Sequence, residues 1–354
     1  MYIITGGAGM IGSALLWQLN KRGVTDILVV DNLASTEKWK NLVKAQYLTY
    51  MHRERFLECI KNDSLEEALE LEFNHRRGFG KIQGIVHLGA CSSTTEKDAD
   101  FLMQNNLEYS KTLCDYALTR GIRYIQASSA ATYGDGAQGF DDDIEQLETL
   151  NPLNMYGYSK HLFDLWANRT GRLASIASIK FFNVYGPNEY HKGGMRSMVH
   201  RAVEQILTPQ AGKFLKGGKN ANEYGAVRLF RSYRPEYADG GQVRDFVYLK
   251  DCAEVLDSLL QSPDANGIFN LGTGQARSWN DLANAVFKAM NLEPKIEYID
   301  MPDILRGKYQ YFTEAKMERL KNALKGERYV EIRSLEDGVA DYVQNHLLKD
   351  DQYL

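Results

Sequence analysis

The segment T-G-G-A-G-M-I-G, Thr5–Gly12, is the strongest indication of fold in this chain. It follows the short apolar run Tyr2–Thr5, which predicts a strand, and it opens Met10–Leu19, whose apolar residues recur at helical spacing. Ile27–Val30 predicts the next strand. A glycine-rich turn inside such a βαβ unit is typical of dinucleotide binding, because glycines permit a tight turn and a close approach of pyrophosphate. We therefore expect a dinucleotide at the three spaced glycines of this turn, Gly6, Gly9 and Gly12.

Strand-length apolar runs alternate with helical patterns through the first half of the chain. Strands are predicted at Ile82–Leu88, Ile122–Ala127 and Ile176–Phe182, and helices at Phe101–Thr119 and Tyr156–Asn168. Alternation of this kind predicts an α/β fold with a Rossmann-like, doubly wound parallel sheet.

The alternation loosens after about Asn183, where a smaller α/β substrate-binding lobe is predicted. Arg244–Leu249 and Asp251–Leu260 resemble a strand and a helix that return to the sheet. We therefore expect a cofactor-binding domain at 1–182 and 243–268, and a substrate-binding lobe at 183–242 and 269–354.

The residues after the second strand bear on which nicotinamide cofactor binds. Asp31 suits the ribose hydroxyls of adenosine and would repel a 2′-phosphate, which favours NAD. Asn32 follows it, and Lys38 and Arg53 lie nearby in the sequence, where they could neutralise a phosphate unless they are simply solvated surface cations. The residues leave both cofactors open, with a preference for NADP.

A tyrosine and a lysine carry the predicted chemistry. Tyr156 and Lys160 stand four residues apart in Y-G-Y-S-K, so they share one helix face, whereas Tyr158 points to another. A nearby ammonium favours the phenolate and brings the tyrosine pKa, ordinarily about 10, into a range useful for proton transfer. Ser129, in A-S-S-A-A-T-Y-G after the preceding strand, would hydrogen-bond the reacting oxygen. An isolated Tyr-x-x-x-Lys is usually structural, but the three signals together predict catalysis.

Composition excludes several other classes of function. The 354 residues are 44% hydrophobic with a formal net charge of −4, so neither nucleic acid nor a membrane is an expected partner. No apolar run approaches the roughly 20 residues that span a bilayer, and a cytoplasmic protein is expected. The four cysteines form no Cys-x-x-Cys pair, and His191 and His200 lack a third ligand nearby, so no metal site is inferred.

Nine segments between Met1 and about Thr313 resemble the extended short-chain dehydrogenase/reductase family, which includes the nucleotide-sugar epimerases and dehydratases. They are T-G-G-A-G-M-I-G-S, D-I-L-V-V-D-N-L, H-L-G-A-C-S-S-T-T-E, A-S-S-A-A-T-Y-G, L-N-M-Y-G-Y-S-K-H-L-F-D, F-F-N-V-Y-G-P-N-E-Y-H-K-G, R-D-F-V-Y, G-I-F-N-L-G-T-G and G-K-Y-Q-Y-F-T. Within the family the similarity is greatest to the epimerases that act on ADP-heptose. The G-A-C-S-S-T-T-E and G-P-x-E-x-H-K-G segments are much more specific than the motifs shared by the whole fold.

The resemblance implies a mechanism. Such enzymes invert C6 of the heptose, a carbon whose hydrogen is not acidic because no carbonyl stands beside it. Transient oxidation to a ketone and re-reduction by the bound cofactor inverts the carbon without net redox change. This chemistry requires an acid/base for each orientation of the hydroxyl. The resemblance implies that Tyr156 is one and that Lys192, in H-K-G-G, is the other. A lysine in a glycine-flanked loop would otherwise be taken as solvated.

The same resemblance assigns contacts by position and implies a homo-oligomer, which could be a pentamer. The implied NADP contacts are Met10, Ile11, Asp31, Asn32, Lys38, Arg53, Leu88, Gly89, Ala90, Cys91, Ser92, Asn105, Lys160 and Val184. The implied ADP-heptose contacts are Ser129, Asn183, Gly194, His200, Leu215, Lys216, Gly217, Gly218, Arg244 and Tyr309. Arg244 suits a bidentate clamp on diphosphate, although an ion pair with Asp245 is the alternative.

The chain also departs from the family pattern. Stretches around 65–80 and 219–242 look like insertions, and Gly194 stands where the family has a substrate-contacting serine. A 4-epimerase or a 4,6-dehydratase is the nearest rival, but Ala130 and Ala131 occupy the positions of the dehydratase carboxylates. A non-catalytic NADP-binding regulator is a rival from another class.

Overall fold

A computed structural model describes residues 1–73, 80–208, 224–303 and 309–354 of the chain. Its strands, in chain order from β1 to β12, are Tyr2–Thr5, Ile27–Asp31, Thr49–His52, Gly84–His87, Arg123–Ser129, Ile176–Phe181, Asn183–Tyr185, Val227–Phe230, Val243–Tyr248, Gly267–Leu271, Ala276–Ser278 and Ile296–Ile299. Seven of them form one sheet in the order β10-β6-β5-β4-β1-β2-β3. Every pairing in that sheet is parallel.

The helices α1 to α11 are Met10–Lys21, Arg53–Lys61, Leu65–Glu72, Ala99–Leu102, Tyr109–Thr119, Met155–Arg169, Met198–Leu207, Leu249–Leu260, Trp279–Ala289, Glu318–Ala323 and Leu335–Tyr342. A π-helical segment, Met103–Glu108, joins α4 to α5, and a second one, Val343–Leu347, follows α11. Short 3-10 helices lie at Glu37–Leu42, Ala130–Tyr133, Ile144–Thr149, Arg172–Ala174, Tyr190–Met195 and Gly326–Arg328.

The large sheet is covered on both faces, which is why its strands are almost uniformly apolar. All five residues of β2, I-L-V-V-D, and all six of β6, I-A-S-I-K-F, are buried. Strands of an antiparallel sheet with one wet face would instead alternate apolar and polar residues. The predicted Rossmann-like parallel sheet with flanking helices is confirmed.

A second, smaller core lies outside this sheet. Helices α7, α9 and α11 pack around buried Val199, Phe246, Phe287 and Val339. Two small sheets accompany them, one in the order β11-β9-β7 and one in which β8 and β12 run parallel. The smaller α/β lobe is therefore present, while the residue boundaries given above for the two lobes stay a prediction.

One expectation about the sheet is wrong. The sequence predicts that a strand at Arg244–Leu249 returns to the parallel sheet, but the observed strand β9, Val243–Tyr248, pairs with β7 and β11 of the small sheet. The strand that joins the large sheet is β10, which pairs with β6. Both runs are short and only partly apolar, so their periodicity does not tell one sheet from the other. The helix between them, α8, packs against α1 through Leu249 and Ala253.

Candidate active site

A cleft of about 1070 Å³ runs between the glycine-rich turn and the smaller lobe. Residues of both regions line it, from Gly6 at the end of β1 to Phe230 on β8 and Tyr309 near the carboxyl end of the chain. A second cavity of about 160 Å³ adjoins it and shares Gly6, Asp31 and Lys38 with it. In an open parallel sheet, ligands bind at the carboxyl ends of the strands, which is where both cavities lie.

The glycine-rich turn has the shape that a dinucleotide requires. Gly6 has a φ of +67°, and a Cβ atom placed there would lie 2.7 Å from the backbone nitrogen of Gly89. A Cβ atom on Gly12 would overlap the carbonyl oxygen of Gly6. The turn leads directly into α1, whose first backbone N–H groups are available to an anion. These residues fit the pyrophosphate of a dinucleotide cofactor.

The carboxylate of Asp31 is held in place beside this turn. It accepts a hydrogen bond of 2.8 Å from the backbone N–H of Ala8 and forms an ion pair of 2.6 Å with Lys38. Arg53 approaches the smaller cavity from α2 and donates a hydrogen bond to the side chain of Asn105. A carboxylate and two cations therefore surround the part of the site where the adenosine of a dinucleotide would lie.

Every residue that the sequence assigned to the cofactor lines one of the two cavities. The larger is lined by Gly9, Met10, Ile11, Gly12, Leu88, Ser92, Lys160 and Val184, and the smaller by Asn32, Arg53, Cys91 and Asn105, while Gly6, Asp31, Lys38, Gly89 and Ala90 border both. Their binding role stays a prediction, but their placement is consistent with it.

Two local features bring Tyr156 to Ser129. Ser129 ends β5 and begins the 3-10 turn Ala130–Tyr133. The side chain of Asn154 accepts a hydrogen bond of 2.8 Å from the backbone N–H of Gly157 and so caps α6. A Cβ atom on Gly157 would lie 2.7 Å from the carbonyl oxygen of Ala131, so glycine permits this helix to approach the turn closely. Burial raises the pKa of Tyr156, and its hydrogen bond with Ser129 opposes that increase.

Lys160 is buried one helical turn after Tyr156. Its ammonium donates a hydrogen bond of 2.8 Å to the carbonyl oxygen of Ala127. Burial lowers the pKa of Lys160 to about 8, while the negative charge of Asp164 acts in the opposite direction. Tyr158, by contrast, is 45% exposed, as its position on another helix face predicts.

Lys192 lies in the 3-10 segment Tyr190–Met195 and lines the same cleft. Its ammonium nitrogen is 3.0 Å from the sulfur of Met10. Burial lowers the pKa of Lys192, and the buried carboxylate of Glu189 opposes this effect. The sequence left open whether this lysine is solvated; the structure places it partly buried, next to the start of α1.

Arg244 makes no ion pair with Asp245. The guanidinium is buried, lies over the rings of Tyr309 and Trp279, and donates hydrogen bonds to backbone carbonyls. The carboxylate of Asp245 instead accepts hydrogen bonds from Thr273 and from the backbone N–H groups of Gly274 and Ala315. Within the described part of the chain, no carboxylate lies at ion-pair distance from Arg244.

Of the remaining residues that the sequence assigned to the substrate, some line the cleft and others do not. Asn183, Ser129 and Tyr309 line the cleft. Gly194 is exposed, and His200 contacts Tyr190, Glu204 and the cleft residue Arg196. Neither these two nor Arg244 borders the cleft directly, although Arg244 contacts Tyr309, which does. Leu215, Lys216, Gly217 and Gly218 lie outside the described residues.

Other residues of the cleft were not identified from the sequence. Glu189 and His191 lie shortly before Lys192 in the segment F-F-N-V-Y-G-P-N-E-Y-H-K-G, so their proximity to Lys192 in the sequence could have indicated them. Arg201 and Gln205 lie four residues apart on the cleft face of α7, a helix that the sequence reading did not predict. Phe230 lies within the insertion-like stretch 219–242, where no pattern indicated a strand.

The described residues also bear on membrane and metal binding. No helix among them is long and apolar enough to cross a membrane. Nor does any group of three or more His, Cys, Asp or Glu side chains in the described ranges have the geometry to hold a metal ion.

Comparison with known proteins identifies the family of this chain. Residues 2–272 match the NAD dependent epimerase/dehydratase family. The chain is 55% identical over 354 residues to ADP-L-glycero-D-manno-heptose-6-epimerase of Nitratidesulfovibrio vulgaris (strain DP4), and covers 100% of both chains. It is 45% identical over 364 residues to the enzyme of the same name from Fusobacterium nucleatum, again with 100% of both covered.

A solved structure agrees with these sequence matches. The crystal structure of Helicobacter pylori ADP-L-glycero-D-manno-heptose-6-epimerase is 26% identical, covers 97% of this chain and 95% of its own, and superposes with a TM-score of 0.72. The glycine-rich turn, the Ser129–Tyr156–Lys160 arrangement and these full-length matches agree with one another. The chain belongs to the NAD dependent epimerase/dehydratase family.

Proposed function

We propose that the protein is an isomerase that inverts C6 of the heptose in ADP-D-glycero-β-D-manno-heptose and gives ADP-L-glycero-β-D-manno-heptose, a precursor of the lipopolysaccharide core. The observation that carries the proposal is the presence of two proton-transfer groups, Tyr156 and Lys192, in the one cleft that also contains the dinucleotide turn. Relatives at 55% and 45% identity over their full lengths bear the name of this activity.

Each catalytic residue of the cleft has a separate role in the proposed reaction. A nicotinamide cofactor held at the glycine-rich turn would supply reversible hydride transfer at C6, which permits inversion without net oxidation. Tyr156 removes or supplies the hydroxyl proton of one epimer, with Ser129 hydrogen-bonded to the same oxygen. Lys192 does so for the other epimer, in which the hydroxyl points elsewhere. Burial raises the pKa of Tyr156, and the ammonium of Lys160, one helical turn away, is the charge that would favour the phenolate against that effect.

Diphosphate recognition is assigned to Arg244. Arg244 has no carboxylate partner among the described residues, and a buried guanidinium in that situation is costly unless an anion compensates it. A nucleoside diphosphate is such an anion, and a planar guanidinium can bind two of its oxygens at once. Tyr309 and Trp279 orient the guanidinium from the cleft side.

NADP is the proposed cofactor. Lys38 and Arg53 both border the adenosine end of the site, where a 2′-phosphate would need cations. Asp31 would oppose that phosphate, but its ion pair with Lys38 reduces its negative charge toward the ligand. NAD is the alternative. A cytoplasmic homo-oligomer is proposed from the same family resemblance.

The rival activities differ in what they need from the cleft. A 4,6-dehydratase needs a carboxyl acid to expel water, and Ala130 and Ala131 supply none. A 4-epimerase would not depend on Lys192, and a non-catalytic regulator would not depend on Tyr156.

Proton NMR of ADP-D-glycero-β-D-manno-heptose with the purified protein tests the proposal. The L-glycero epimer should accumulate to equilibrium, with NADP added if none is retained. If no epimer forms with either NADP or NAD, the heptose assignment is wrong and other nucleotide sugars become the candidates.

A further inference from the structure

A fully buried ion pair lies behind the catalytic residues. Asp164 on α6 and Lys180 on β6 are separated by 3.3 Å, and their side chains are 0% and 1% exposed. The carboxylate also accepts hydrogen bonds from the hydroxyls of Ser128, at 2.6 Å, and Ser178, at 2.7 Å. The ammonium donates a 2.5 Å hydrogen bond to the hydroxyl of Thr132. Every contact in this group joins segments that are distant in the sequence.

Hydrogen bonds connect the Asp164–Lys180 pair to the neighbourhood of Ser129 in two places. Ser128, the residue before it, is tied to Asp164. Thr132 accepts from Lys180 and donates a 2.9 Å hydrogen bond to the carbonyl oxygen of Ser129. The end of β5 and the turn after it are thus connected on one side to α6 and on the other to β6.

Asp164 of the ion pair lies on α6, the helix that also presents the catalytic residues. Tyr156, Lys160 and Asp164 recur at intervals of four residues, which places them on one stripe of the helix. The charge of Asp164 raises the pKa of Lys160 against the larger lowering effect of burial. Lys160 is also faced from β4 by His87, which is neutral because burial lowers its pKa to about 3.

An ion pair of this kind calls for an explanation other than stability. Desolvating two charges offsets most of their attraction, so a buried pair adds little net stability even when removing one partner is harmful. Buried polar groups that are all satisfied do, however, specify one arrangement of the elements that they join. Here those elements are the strand that presents Ser129 and the helix that presents Tyr156 and Lys160.

We propose that the Asp164–Lys180 pair is a positioning unit that holds Ser129 against Tyr156 and sets the charge behind Lys160. The two residues act through the catalytic side chains, since neither borders the cleft. This inference rests on the proposed function only for its kinetic readout, because the protonation of Lys160 is measurable without a substrate.

The test compares Asp164→Asn and the double variant Asp164→Asn/Lys180→Met with the wild type. The double variant removes both charges, so it avoids the uncompensated buried charge that could unfold a single variant. Asp257→Asn is the matched control, because Asp257 is also a buried, ion-paired carboxylate on a helix, but its partner is Arg22 and it lies outside the cleft.

Two readouts are taken on the folded proteins. The pH dependence of Lys160 acetylation, followed by mass spectrometry, should shift to lower pH by about one unit when Asp164 loses its charge. In the epimerase assay kcat should fall roughly tenfold or more, with KM changed by less than about threefold and Asp257→Asn unchanged. A folded double variant with wild-type kcat, or a folded Asp164→Asn variant with an unshifted acetylation profile, would overturn the proposal, since only the single variant changes the net charge behind Lys160. An inactive wild type would refute the proposed function instead, and the acetylation result would still decide this inference.

Discussion

The ammonium nitrogen of Lys192 lies 3.0 Å from the sulfur of Met10, the first residue of the helix that follows the glycine-rich turn. The side chain of Asn41 joins the segment that carries Lys192 to the glycine-rich turn. It donates hydrogen bonds to the carbonyl oxygens of Ala8, at 2.9 Å, and Asn188, at 3.0 Å. A lysine that the sequence places far from the dinucleotide turn is thereby fixed beside it. The two-base mechanism depends on this placement.

Replacing Lys192 by methionine should leave the fold intact and reduce epimerisation by roughly 10²- to 10⁴-fold, the usual contribution of a general acid or base. Cofactor affinity should change little, because the glycine turn is untouched. Lys288→Met, at an exposed site on α9, is the control. Undiminished turnover of both epimers by Lys192→Met would eliminate the two-base mechanism.

Tyr156→Phe and Tyr158→Phe form a matched pair that differs by two positions on one helix. Loss of the Tyr156 phenol should lower kcat by roughly 10²- to 10⁴-fold, whereas loss of the Tyr158 hydroxyl, on a side chain that is 45% exposed, should have no measurable effect. Steady-state kinetics on the heptose substrate provide the comparison. Equal effects of the two substitutions would contradict the assignment of Tyr156.

Arg244→Gln should weaken ADP binding by roughly 10- to 100-fold, since a hydrogen bond to a charged group contributes about 1.5–3 kcal/mol. Calorimetric titration with ADP measures this without any turnover. Arg172→Gln is the control, because Arg172 pairs with Asp115 outside the cleft. Unchanged affinity in Arg244→Gln would mean that the diphosphate binds elsewhere.

The pH profile should have an alkaline limb near pH 8. Burial lowers the pKa of Lys160 from 10.5 to about 8, so the catalytically useful ammonium is present below that pH and lost above it. A plot of kcat/KM against pH should therefore decline above about pH 8. In Lys160→Arg this limb should disappear even though activity is lower, because a guanidinium keeps its proton. A wild-type profile that stays flat to pH 10 would contradict the role of Lys160.

Arg53→Ala should weaken NADP binding at least about tenfold and leave NAD binding within about threefold, because only NADP offers a 2′-phosphate to this cation. Lys38→Ala should have a smaller effect, since its ammonium is already paired with Asp31. Fluorescence titration of the reduced cofactors distinguishes these cases, with Arg55→Ala on the same helix as control. Equal losses for both cofactors would argue against NADP preference.

The parts of the site that the sequence predicted are local in character. The glycine turn is a single continuous segment, and Tyr156 and Lys160 share one helix, so spacing alone relates their side chains. Helical spacing gives no information on whether Arg244 and Asp245 form an ion pair. Neighbouring residues on a strand point to opposite faces, so these two side chains diverge despite being adjacent in the sequence.

Other features depend on tertiary context that a single sequence does not reveal. The strand β3, T-Y-M-H, has no marked apolar pattern and is recognisable only by its pairing with β2. The assignment of β9 to the small sheet depends on partners that are distant along the chain. The Asp164–Lys180 pair joins residues on a helix and a strand, and neither has a spacing that would indicate the other.

The most direct test of the account uses ADP-D-glycero-β-D-manno-heptose that carries deuterium at C6. Oxidation and re-reduction by a retained cofactor should return the same deuterium to the inverted carbon, so the L-glycero product should keep its label and take up none from the solvent. Proton NMR and mass spectrometry of the product measure both quantities. Loss of the C6 label to water during inversion would contradict the transient-oxidation mechanism that we assign to this cleft.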